Sequence, residues 1–120
     1  MKTNIKFSDT ESSEKLRDYT EQKVASFSKF LSEQSMESAI CDVEYRHDAH
    51  HSSGDVCYAE VTLEADGKVY RASKVEPNFE KAIDKVKDDI LQELRVEKRK
   101  NEHNFLKGAR EVKEMIQESE

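Results

Sequence analysis

Three glycines, one proline and two cysteines are all that this 120-residue chain has of the residues that shape turns and cross-links. Each scarcity excludes something. None of Gly54, Gly67 and Gly108 stands in a glycine-rich loop of the kind that cradles phosphates. Two cysteines make no disulfide framework. With no secretion signal in MKTNIKF, they read as cytosolic thiols. No apolar run approaches the roughly 20 residues of a membrane span. Apolar residues reach only 35% against 38% charged, which leaves little surface to line a large internal pocket. The length supports one domain with a modest core. The net charge of −6 does not by itself suggest a nucleic-acid binder, but local clustering decides that question at a phosphate surface. No enzyme, cofactor, metal, membrane or small-molecule substrate is expected from this inventory.

What is present is periodicity. The longest run is 78–100, where Phe79, Ala82, Ile83, Val86, Ile90 and Leu94 form one helical stripe behind Asn78 as N-cap and Pro77 as boundary. Before it, residues 2–7 alternate as a strand. Leu16, Tyr19, Val24, Phe27, Phe30 and Leu31 predict a first helix from Ser12 or Ser13 to about residue 31. Residues 32–38 read as a polar loop. A second strand at 39–46 turns Ala39, Cys41, Val43 and Tyr45 inward; a third at 56–64 does the same with Cys57, Ala59, Val61 and Leu63. Asp66-Gly67 is a two-residue hairpin signal, because a type I′ turn needs positive φ at both central positions. With that loop, Leu63 faces Tyr70, Val61 faces Ala72 and Thr62 faces Arg71, so core meets core. The expected fold is α+β, in the order β-α-β-β-β-α. It has a four-stranded mixed sheet with both helices on one face and the other face open to water. Residues 1–100 form the domain, and 101–120 an acidic tail that is partly helical or mobile.

Candidate chemistry is thin. His47, His50 and His51 have chelating spacing, but a closed zinc site wants four ligands and a solvated loop is the better reading. Cys41 and Cys57 fall on one face of adjacent strands and could approach each other; neither has neighbours that would lower its pKa. Asp84 and Asp88 fall on the solvent side of their helix and pair with lysines. The basic residues remain: Lys23, Lys29, Arg71, Lys74, Lys81, Lys85, Arg95, Lys98, Arg99 and Lys100, all at solvent-facing positions. From Arg95 to Lys100 there are four bases against Glu97 alone. Such a cluster permits phosphate contacts without demanding them.

Three stretches carry a resemblance: LRDYTEQKV at 16–24, DGKVYRAS at 66–73 and NFEKAIDKVKDDILQEL at 78–94. Together they resemble the ribosome hibernation factors, also called ribosome-associated inhibitors or sigma-54 modulation proteins, over residues 1–100. The resemblance implies a fold similar to double-stranded-RNA-binding domains. It also implies binding to the small ribosomal subunit in the channel for mRNA and tRNA, which silences idle ribosomes under stress. Lys23, Lys29, Arg71 and Lys98 to Lys100 match basic positions of that pattern and would contact rRNA phosphates. Long members add a domain that pairs ribosomes; a chain ending at Glu120 resembles the short form, a monomer when free, whose acidic tail lies along the mRNA path. Glu80, Asp89 and Gln92 depart from the pattern, replacing an aromatic and two cations. The ribosomal reading requires a contiguous positive strip linking helix 1, strand 4 and the end of helix 2. Its rival is a protein-interaction module without direct RNA contact that regulates a partner protein through the tail or the open sheet face, where Ile40, Val56, Tyr58 and Val69 could form an exposed apolar patch.

Overall fold

The computed structural model describes residues 1–48 and 56–118. Its elements are β1 (Lys2–Ser8), α1 (Glu14–Ala25), a 3-10 turn (Ser26–Phe30), α2 (Glu33–Ser38), β2 (Ile40–His47), β3 (Cys57–Ala65), β4 (Lys68–Glu76) and α3 (Phe79–Glu118). The sheet order is β1-β2-β3-β4, with β1 parallel to β2 and the other pairs antiparallel. This is the expected α+β arrangement. The helical segments α1 and α2 lie in the chain between the two parallel strands, as a parallel pair requires, and the other neighbours are consecutive antiparallel strands.

The hairpin forms in the register that the core pattern requires: Leu63 opposite Tyr70, Val61 opposite Ala72, Thr62 opposite Arg71. Asp66 (φ 55°) and Gly67 (φ 73°) both take the left-handed conformation of the turn. Buried Cys41, Val43, Tyr45, Ala59, Val61 and Leu63 line the helix side of the sheet, and Ala82, Ile83, Val86, Ile90, Leu91 and Leu94 of α3 close over them. At one end of the core, Tyr45 stacks on Phe7 (5.5 Å) and meets Phe79 edge-on (5.3 Å). Helix starts follow local chemistry. The Ser13 hydroxyl accepts the Leu16 N–H at 3.2 Å, and the Asn78 side chain accepts the Lys81 N–H at 2.8 Å.

Three local expectations change. The first helix stops at Ala25 and tightens into the 3-10 turn, so Phe27 and Phe30 no longer follow α-helical geometry. Residues 33–38 are helical. Ser32 caps them by accepting the Ser35 N–H at 3.1 Å, and the buried Ser35 hydroxyl donates to Asp66 of the hairpin. Finally, α3 does not end at Lys100 but runs unbroken for 40 residues to Glu118. At 1.5 Å per residue that is about 60 Å, far longer than any strand beneath it. The molecule measures 70 × 29 × 18 Å. Lys68 of β4 pairs with Glu97 at the hairpin end of the sheet, so the helix beyond that point projects past it. Residues 101–104 are accordingly exposed.

Candidate nucleic-acid interface

The two flanks of α3 meet different neighbours. On one flank, positions 85 and 89 face the edge strand β4: Lys85 lies 2.5 Å from Glu76, and Asp89 lies 3.6 Å from Lys74. Lys81 reaches the same Glu76 at 4.0 Å, and Lys68 pairs with Glu97. The edge strand is thus clipped to the helix by ion pairs. Asp89, where the resemblance leads one to expect a cation, has a structural use here as the partner of Lys74. The Lys85 hydrogen bond lowers the Glu76 pKa, outweighing the desolvation that would raise it.

Positions 84, 95 and 98 lie on the other flank, toward α1 and the 3-10 turn. Asp84 is not a solvent-side residue as its sequence position suggests. It accepts the Tyr19 hydroxyl at 2.8 and 2.9 Å and pairs with Lys23 at 3.1 Å, joining α1 to α3. The Asp84 hydrogen bond raises the pKa of Lys23. Burial, then the bond to Asp84, raises that of Tyr19. Further along, Arg95 and Lys98 lie over the ring of Phe30 at 5.6 and 6.0 Å. Lys29 is exposed beside Phe30, and Arg99 and Lys100 are exposed on the same stretch of α3.

The ten nominated cations therefore divide. Lys23, Arg71, Lys74, Lys81 and Lys85 are each paired with a carboxylate, whereas Arg95 and Lys98 rest on a ring. Lys29, Arg99 and Lys100 have no ion pair among the described residues. Arg71 also stands apart in space. It is on the open face of the sheet, opposite the helices, where it donates to both oxygens of Glu60 at 3.1 and 3.0 Å. A single positive strip through helix 1, strand 4 and the end of helix 2 is thus not what the fold builds. The structure gathers instead a shorter patch where the 3-10 turn crosses α3. Phe30, which the periodicity assigns to the core stripe, is half-buried and belongs to this patch.

The open face is polar and internally paired. Its rows read Lys2–Ile40–Glu64–Val69, Asn4–Asp42–Thr62–Arg71, Lys6–Glu44–Glu60–Ser73 and Ser8–Arg46–Tyr58–Val75. Ile40 and Val69 fall in the first row and Tyr58 in the last, about 20 Å away at roughly 3.4 Å per residue. Arg46 covers the Tyr58 ring at 4.2 Å, and the Tyr58 hydroxyl donates to Glu60 at 2.6 Å. The expected apolar patch is therefore dispersed. Burial alone would raise the Glu60 pKa, but the bonds from Tyr58 and Arg71 prevail and lower it.

The cysteines do not approach each other. Cys41 pairs with Leu63 near one end of the β2–β3 ladder and Cys57 with His47 at the other, and both are free thiols. Burial pushes the Cys41 thiol up to about 12, and it also raises Cys57. His50 and His51 lie outside the described residues. Among those described, no group of His, Cys, Asp and Glu could hold a metal ion. No described helix is long and apolar enough to cross a membrane.

Solved structures share this fold. The N-terminal domain of Protein Y from Thermus thermophilus superposes with a TM-score of 0.66 at 18% identity, covering 78% of this chain and 96% of that one. A ribosomal subunit interface protein from Coxiella burnetii gives 0.64 at 13% identity, covering 82% and 98%. No curated protein matches this chain. The family described as Sigma 54 modulation protein / S30EA ribosomal protein matches residues 3–102, and the chain belongs to that family.

Proposed function

We propose that this protein is a translation regulator that binds the small ribosomal subunit in the mRNA and tRNA channel, holding idle ribosomes inactive under stress or in stationary phase. The family match over residues 3–102 is the observation that carries this reading. The likeness to a protein described as a ribosomal subunit interface protein agrees with it at the level of fold. In place of the continuous strip expected from the sequence, the shorter patch of Lys29, Arg95, Lys98, Arg99 and Lys100 supplies the chemistry, since cations without carboxylate partners release counterions most directly on meeting rRNA phosphates. Lys23, Arg71, Lys74, Lys81 and Lys85 are secondary contacts, because a phosphate must first displace a carboxylate from each.

Co-sedimentation tests this. In a stationary-phase lysate fractionated at low salt, the protein travels with small-subunit or whole-ribosome fractions. Recovery only at the top of the gradient rejects the proposal. The rival reading, a protein-interaction module using the open sheet face or the tail, has less to rest on, because Ile40 and Val69 do not adjoin Tyr58 and the four residues make no single patch.

A further inference from the structure

Among the described residues, five cations pack over aromatic rings: Arg17 on Phe7, Lys23 on Tyr19, Arg46 on Tyr58, and Arg95 and Lys98 together on Phe30. The first three also reach a carboxylate: Glu14 at 3.9 Å, Asp84 at 3.1 Å and Glu44 at 3.5 Å, respectively. Arg95 and Lys98 reach none among the described residues. The physical difference is large. A carboxylate that fixes a cation also neutralises it, so an incoming anion must break the pair first. A ring fixes a cation through its quadrupole without cancelling its charge, and leaves the N–H donors that point away from the ring available. Phe30 can play this part because it is half-buried: it packs against the core and still lies beneath both cations. Two long side chains ordered in advance also lose less freedom when they engage a ligand.

We infer that Phe30 is the positioning residue of the RNA-binding patch, holding Arg95 and Lys98 as an un-neutralised pair aimed at neighbouring phosphates. This rests on the ribosomal reading above and adds to it a neutral residue that no count of basic positions would select. The 3-10 turn has a role in the same arrangement. It ends α1 early and brings Phe30 to the flank of α3 at the level of Arg95 and Lys98.

The experiment measures affinity for purified small ribosomal subunits with the full chain and four variants: Phe30→Leu, Phe30→Tyr, R95A/K98A and F30L/R95A/K98A. Leucine keeps the apolar packing and removes the quadrupole; tyrosine keeps the ring. Phe30→Leu is expected to weaken binding roughly three- to tenfold, while Phe30→Tyr stays within about twofold of the native chain. In the R95A/K98A background, Phe30→Leu is expected to add nothing, because the cations it orders are gone. The inference is overturned if Phe30→Leu binds like the native chain, if Phe30→Tyr falls as far as Phe30→Leu, or if the leucine effect persists undiminished in R95A/K98A. The wider reading fails separately, and visibly. If the native chain does not bind the subunits, both ideas are lost; if it binds and R95A/K98A binds as well, ribosome binding stands and the role given to Phe30, Arg95 and Lys98 is lost. If R95A/K98A weakens binding and Phe30→Leu does not, only the role of Phe30 is.

Discussion

Thr20 sits fully buried between α1 and the sheet, where its hydroxyl donates to the Leu16 carbonyl at 2.6 Å and lies 2.5 Å from the Tyr45 hydroxyl. With its own proton committed to Leu16, Thr20 accepts from Tyr45, and one short chain satisfies both hydroxyls in an otherwise apolar layer. Burial raises the pKa of Tyr45, so it stays a neutral donor across the physiological range. Thr20→Val leaves that phenol without an acceptor and is expected to cost about 1–3 kcal/mol in urea denaturation. Adding Tyr45→Phe should recover much of the loss, because removing both partners leaves nothing unsatisfied. A second residue-scale expectation concerns the thiols. Cys41 is buried with a pKa of about 12, whereas Cys57 is partly exposed. An alkylating reagent at mild alkaline pH should therefore modify Cys57 first in the native protein; equal rates would contradict the buried position of Cys41.

Between elements, the seam of α3 against β4 is ionic where the seam against the centre of the sheet is apolar. Glu76 anchors it through Lys85 and Lys81. Its pKa in the folded protein is lowered from 4.5, first by the Lys85 bond, so the stability it adds is present above the ordinary glutamate range. That contribution is lost as pH falls through the folded value. Lys85→Met should lower stability at pH 7 and narrow the difference between pH 7 and pH 3, as read from urea midpoints. This seam also shows where sequence reading stops. The hairpin register follows from a turn signal and residues close to it in the chain, and α3's apolar stripe from steps of three and four, so both are legible. Lys74–Asp89 and Lys68–Glu97 join residues 15 and 29 apart, and no local pattern chooses them over other pairings. The α2 turn is hidden for a different reason. It has six residues and no apolar stripe, and only its serine cap marks it. Phe30 is visible as an apolar residue, but its function depends on the helix yielding to a 3-10 turn, a change of pitch that periodicity averages over.

On the scale of the whole molecule, a sheet carries its core on one side, an internally neutralised polar face on the other, and a helix that outruns both. The exposed side chains at 101–104 contribute little to the core. Replacing Asn101, Glu102, His103 and Asn104 together with alanine should leave the stability from urea denaturation within about 0.5 kcal/mol of the native chain, as for other surface changes. A larger loss would mean that the projecting helix supports the domain. Binding is a separate matter, governed by where unpaired cations gather. The most direct test is the salt dependence of affinity for purified small subunits, measured for the full chain, for R95E/K98E and for the charge-matched K81E/K85E. R95E/K98E is expected to lower both affinity and the slope of log K against log salt, the slope by roughly 0.7–0.9 for each phosphate no longer neutralised. K81E/K85E, which disrupts the Glu76 clip, is predicted to change stability more than binding. Equal losses of affinity in the two variants, with equal slopes, would contradict that expectation, because total charge rather than the patch at Phe30 would then be what the ribosome reads.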